Sequence, residues 1–206
     1  LIWIENSLSP QEIRERVLAD ADFRGRLTSW LESCHQGQYS LSTDSVIGKR
    51  IADRRSDDAR ASGSFRDPCT TLPGNVDGGD AAVTDEAWYR EVCEESDEIV
   101  YLSNRHDPRH RKGCLRGDPP YCKARFPREL RDETSVDPAT GAISFKKQDA
   151  WINTYNVVLS YVLRCNTDVT CLLSGTQVRA VVAYVTDYIT KSPLKTYSVF
   201  EAVKAV

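Results

Sequence analysis

Apolar residues near the start of the chain recur at helical spacing: Ile13 and Val17, then Phe23, Leu27, Trp30 and Leu31. Ser9, Pro10 and Glu12 supply an N-cap, a first-turn proline and a reciprocal capping carboxylate, so a helix is predicted from Pro10, with a break near Asp20. Between 49 and 83 no period persists and Ser, Asp, Gly, Arg and Pro dominate, which predicts a flexible surface insertion. Thr84 or Asp85 opens a predicted helix through about Glu95, with Trp88, Val92 and Cys93 as its apolar positions. Further on, a turn at 138–141 feeds a short strand, and 153–164 reads as a helix with Val157, Val158, Tyr161 and Val162 inward. A strand is predicted over 168–173. Over 176–191, Val178, Val182, Val185 and Ile189 form the stripe of an amphipathic helix that Ser192 and Pro193 end, and 196–206 reads as a last short helix. Helices with separated strands and no strict alternation define an α+β chain.

The pattern divides the chain into helices at 1–48, the insertion at 49–83, a helix plus a Cys/His-bearing basic segment at 84–131, and a strand-helix-strand-helix part at 132–206. With 206 residues, 40% of them hydrophobic, one ordinary core can be built. The net charge of -3 hides a strong asymmetry: 105–131 is rich in Lys and Arg, whereas 76–98 is acidic, so an anionic partner would meet the first. No apolar run reaches the roughly 18 residues of a membrane span and no secretory leader pattern opens the chain, so no membrane partner is expected. Seven cysteines, an odd number, point to reduced thiols or metal ligands rather than a disulfide framework. The chain contains no Met, and its opening LIWI reads as the tail of a buried strand, which suggests a piece of something longer.

Three constellations carry candidate chemistry. His106, His110, Cys114 and Cys122 follow the pattern H-x3-H-x3-C-x7-C, with GDPP between the cysteines able to turn the chain back, so they form a candidate zinc site. Cys93 is an alternative ligand, and a basic loop with incidental thiols is the competing reading. Lys123, Arg125 and Arg128 surround Phe126, a set suited to phosphate contacts with one stacking ring, or equally to a solvated basic turn. Tyr184, Tyr188 and Lys191 fall on one flank of the last long helix. A phenol beside a cation can act as a nucleophile at phosphorus, although two such tyrosines can also be the rim of a core. Asp168 and Thr170 share a strand face, where Asp168 could meet a cation or simply close a turn. No Walker-type loop, H-E-x-x-H or G-x-S-x-G motif occurs, so no ATP site is expected in this chain.

Four segments in fixed order, C-x-x-x-F-P at 122–127, Y-N-x-x-L at 155–159, N-x-D-V at 166–169 and Y-x-x-x-Y-x-x-K at 184–191, resemble the replication-initiator region of Helitron transposon proteins, the Helitron helicase-like domain. The resemblance implies an antiparallel sheet-centred HUH-endonuclease-like fold that nicks and joins single-stranded DNA. In that family a histidine pair holds Mg or Mn, and a helix tyrosine, here Tyr184 or Tyr188 with Lys191 beside it, attacks the phosphodiester. It also implies a nuclear protein with a helicase domain toward the C-terminus of the parent chain. His35, His106 and His110 are the only histidines and form no H-x-H, so the resemblance places the start of this chain just after that pair and leaves Asp168 as candidate ligand of the catalytic cation. Asp187 stands where the family has Lys, and Thr170 where related strands carry Gln or Glu. The alternatives are a non-catalytic, zinc-dependent nucleic-acid-binding module and an interaction domain without DNA binding.

Overall fold

The computed structural model describes residues 5–61, 63–73, 85–110, 113–172 and 175–190, with the side chains of 175–177 and 187–189 outside that description. Helix α1 (Pro10–Ala19) begins at the expected capping box: Ser9 Oγ accepts from the Glu12 N–H at 3.3 Å, and Glu12 accepts from the Ser9 N–H at 2.7 Å. Asp20 ends α1 and caps α2 (Ala21–Cys34), accepting from the Phe23 N–H at 3.0 Å, so the predicted break is a shared cap residue.

Helix α3 (Asp44–Arg60) corrects the prediction of an insertion from 49 onward. Only Ile47 and Ile51 are buried on it, one turn apart, and its other turns are charged, so no sustained period marks it in the sequence. Gly48, a poor helix former, is there because Tyr101 crosses at that point: a Cβ would lie 2.6 Å from the Tyr101 hydroxyl. Helix α4 (Asp85–Ile99) runs four residues beyond its predicted end and continues into a π-helical turn at Val100–Asn104.

Helix α5 (Val157–Leu163) packs on α4, where Ser96 Oγ donates to Val157 O at 2.9 Å. That contact fixes its rotation and corrects half of the predicted inward face: Val157 is buried and Tyr161 packs against the core as expected, while Val158 and Val162 are more than half exposed and Ser160 is buried instead. The core joins α3, α4 and α5 through Ile47, Ile51, Val92, Val100, Val157 and the fully buried Ile152 and Tyr155. Cys93 is part of this core, which removes it from the ligand set.

Strands are brief. β1 (Leu115–Arg116) pairs with β2 (Tyr121–Cys122), and β3 (Ser135–Val136) with β4 (Ile143–Ser144), both antiparallel. The chain is thus mixed helix and small antiparallel sheets, an α+β arrangement whose core, among the described residues, is helical. The predicted strand after Asp168 does not form. Residues 154 and 169 make one backbone bond, Val169 N to Thr154 O at 3.0 Å, and Thr154 Oγ1 donates to Val169 O, without a continuing ladder. Helix α6 (Gly175–Thr190) follows the predicted 176–191 closely, with Val182 and Val185 exposed; the helix predicted at 196–206 lies outside the described residues.

Candidate metal centre

The π-turn delivers the chain out of the helical core into a loop that is pinned to the 151–153 segment. Arg105 pairs with Ile152 in an antiparallel bridge, and the His106 N–H donates to Trp151 O at 2.7 Å. Asp107 then folds the next residues back: its carboxylate accepts from the Arg109 N–H at 3.0 Å, and its carbonyl accepts from the His110 N–H at 2.9 Å. His110 completes the turn at φ 52°. The β1–β2 hairpin, turned by 117–120 as expected, sets Leu115 opposite Cys122, and the Lys123 N–H bonds Cys114 O at 2.9 Å, so Cys114 and Cys122 end side by side.

These local structures bring all four predicted ligands together, with their donor atoms within 4.8 Å of one another. His106 Nε2 lies 3.2 Å from His110 Nδ1, and Cys114 Sγ lies 3.4 Å from Cys122 Sγ. The nitrogen-sulfur separations are 3.3 Å for His106 to Cys114, 3.6 Å for His110 to Cys114 and 3.6 Å for His106 to Cys122. Such a group can hold a metal ion. It is the one group of three or more ligating side chains among the described residues.

The turn after Cys122 prepares its sulfur. Arg125 adopts φ 61° and its N–H bonds Cys122 O at 2.9 Å. Burial raises the Cys122 thiol, but the N–H groups of Phe126, Ala124 and Arg125, together with Cys114, stabilise the thiolate and bring it below the ordinary thiol value. Cys114 is held above its ordinary value, first because it shares a hydrogen bond with Cys122. A cation bound between the two sulfurs would favour both as thiolates and displace their protons.

Phe126 corrects the prediction of a stacking ring for bases. It is only 7% exposed, and its ring lies parallel to His106 with centroids 4.5 Å apart and a 5° interplanar angle. Arg128 sits over the other partner of that stack, its Cζ 4.5 Å from the Phe126 centroid, and donates to Asn153 Oδ1 at 3.1 Å. Lys123 and Arg125 are exposed, although Lys123 Nζ also donates to Gly113 O at 2.6 Å. Trp151, which sequence reasoning missed, lies parallel to His106 and edge-on to His110, at 6.4 and 5.9 Å between centroids. Its place in WINTYN, beside the segment that pairs with 104–106, carried no signal of this.

The remaining predicted site residues lie elsewhere. Tyr184 is 64% exposed on α6, and Tyr188 follows one turn later on the same helix; the Tyr188 side chain and Lys191 are outside the described residues. Asp168 is exposed, accepting from Thr154 and Thr170 hydroxyls at 3.4 Å each, and belongs to no group of ligating side chains among the described residues. No helix among the described residues is long and apolar enough to cross a membrane. Comparison with known protein families, curated proteins and solved structures finds no match.

Proposed function

We propose that this chain is part of a Helitron-type replication initiator, in which a zinc ion orders a basic segment for single-stranded DNA and α6 carries the tyrosines that cleave and rejoin the strand. The observation that carries the zinc assignment is the set of donor separations. With Zn–N near 2.0 Å and Zn–S near 2.3 Å, a regular tetrahedron has edges of about 3.4 Å between nitrogens, about 3.6 Å between nitrogen and sulfur and about 3.8 Å between sulfurs. Five of the six donor separations stand close to these, at 3.2 Å between nitrogens, at 3.3 to 3.6 Å for three nitrogen-sulfur pairs and at 3.4 Å between sulfurs, and the sixth, His110 to Cys122, lies within 4.8 Å. With two thiolates and two imidazoles and no open position, the centre suits a structural ion.

The cleavage assignment is supported by the ordered motif run and by the exposed position of Tyr184. In the proposed step a tyrosine oxygen attacks phosphorus and forms an O–P bond, the bond to the 3′ oxygen breaks, and the phenolic proton leaves with the freed 3′ hydroxyl. The 5′-phosphotyrosine keeps the bond energy for the reverse step, and two tyrosines allow two sequential cuts. Asp168 alone does not make a cation site, so Mg or Mn enters this reading only through the resemblance, as do the helicase domain and a nuclear location. The test is a covalent adduct between single-stranded DNA and the parent protein, expressed from its whole reading frame. The adduct is expected with Mg or Mn and expected to vanish when Tyr184→Phe and Tyr188→Phe are combined, because Phe keeps the ring and removes only the hydroxyl. An adduct that survives the double substitution puts the nucleophile elsewhere and overturns the assignment.

A further inference from the structure

With Phe126 turned onto His106, the aromatic ring available to a nucleic-acid base must come from elsewhere. A cavity of about 170 Å³ opens between the end of α2 and the segment after β4. His35 and Phe145 form its ring wall, 4.4 Å apart between centroids and tilted by 34°. Gln36, Gln38 and Gln148 line it, and none of their side-chain amides has a hydrogen-bond partner among the described residues. His35 Nδ1 is buried and likewise has no hydrogen-bond partner among the described residues.

The walls are fixed by backbone pairing. Gly37 O accepts from the Gln148 and Asp149 N–H groups at 3.2 and 3.1 Å, and Gln36 and Tyr155 exchange backbone bonds at 2.7 and 3.1 Å. A Cβ at position 37 would lie 2.6 Å from Lys146 O, so only glycine lets the two segments meet at this distance. A cavity of about 150 Å³ admits a benzene ring, so this one has room for a single six-membered ring with its exocyclic groups. Three unengaged amides offer both donors and acceptors to the edge of such a ring, as bases splayed from single strands require. Glu32, which also lines the cavity, can accept from an exocyclic amino group, and the exposed Lys146 beside it suits the adjoining phosphate.

We propose that this cavity seats one pyrimidine base of a single-stranded DNA ligand, stacked on Phe145 and held at its edge by Gln36, Gln38 and Gln148. The proposal rests on the single-stranded DNA reading above but does not depend on cleavage. It is tested by anisotropy titrations of the zinc-loaded chain with oligo(dC), oligo(dT), oligo(dA), oligo(U) and an abasic strand of equal length. Pyrimidine DNA strands are expected to bind about tenfold more tightly than the abasic strand. Gln148→Ala, at an exposed position, and Phe145→Leu should each reduce that advantage and leave abasic binding and its salt dependence unchanged. Equal affinity for pyrimidine and abasic strands overturns the base pocket while leaving phosphate-driven DNA binding in place. A preference for oligo(dA) overturns the pyrimidine assignment, and tighter binding of oligo(U) than oligo(dT) moves the ligand to RNA and overturns the DNA assignment. Binding of no strand at all overturns the DNA reading itself.

Discussion

Lys147 is only 7% exposed, and its ammonium donates to Ile152 O at 3.0 Å. Burial pushes its pKa down to about 8; Asp149 opposes the shift and Arg128 adds to it. The unfolded chain titrates this lysine near 10.4, so the fold favours the neutral amine. Stability should therefore be highest above about pH 10.4 and be lost as pH falls through about 8, by on the order of 3 kcal/mol for this group. Urea denaturation across that window should show the rise, and Lys147→Met should flatten it; an unchanged slope in the variant would assign the dependence to other groups. Nothing in the sequence marked Lys147, because a lysine in KKQDA has the same local pattern whether buried or exposed. Asp97 was equally hidden in an acidic stretch. The structure buries it and directs the Ser40 and Leu41 N–H groups at its carboxylate, at 2.7 and 3.0 Å, with the Tyr155 hydroxyl at 3.2 Å. The four candidate ligands were legible because their residue types are uncommon and the GDPP turn between the cysteines brings the chain back.

Elements were legible where local chemistry decides them and obscure where a tertiary contact does. The start of α1 follows from its capping box, and the β1–β2 hairpin from its turn residues. α3 was missed because its only buried pair flanks a glycine whose purpose, the crossing of Tyr101, lies more than 50 residues away in sequence. The face of α5 is legible only at Val157 and Tyr161, because a seven-residue helix gives too little period and its rotation is set by the Ser96 contact and by its cap. That cap joins two elements: Asn156 Oδ1 accepts from the Leu159 N–H at 3.0 Å, while Nδ2 donates to Cys34 O at 3.2 Å at the end of α2. Asn156→Ala should cost about 1 to 2 kcal/mol, since both bonds vanish and two backbone groups lose partners. An unchanged thermal midpoint would mean that water replaces both bonds at no cost.

At the scale of the whole molecule, the candidate metal centre joins parts of the chain that are separate in sequence. It connects the π-turn leaving α4, the β1–β2 hairpin and, through Phe126 and Trp151, the segment leading to the buried Tyr155. The hairpin itself is two residues per strand with Leu115 and Tyr121 exposed, too small a unit to hold its place by burial. An ion held there contributes its binding energy to folding, so its removal should loosen the basic segment before the helical core of α3, α4 and α5. The decisive measurement is the metal content of the purified chain beside its Cys122→Ser variant, each before and after chelation. The account predicts one zinc per chain, lost in the variant and under chelation together with a lower thermal midpoint. Substoichiometric zinc that Cys122→Ser leaves unchanged would contradict it.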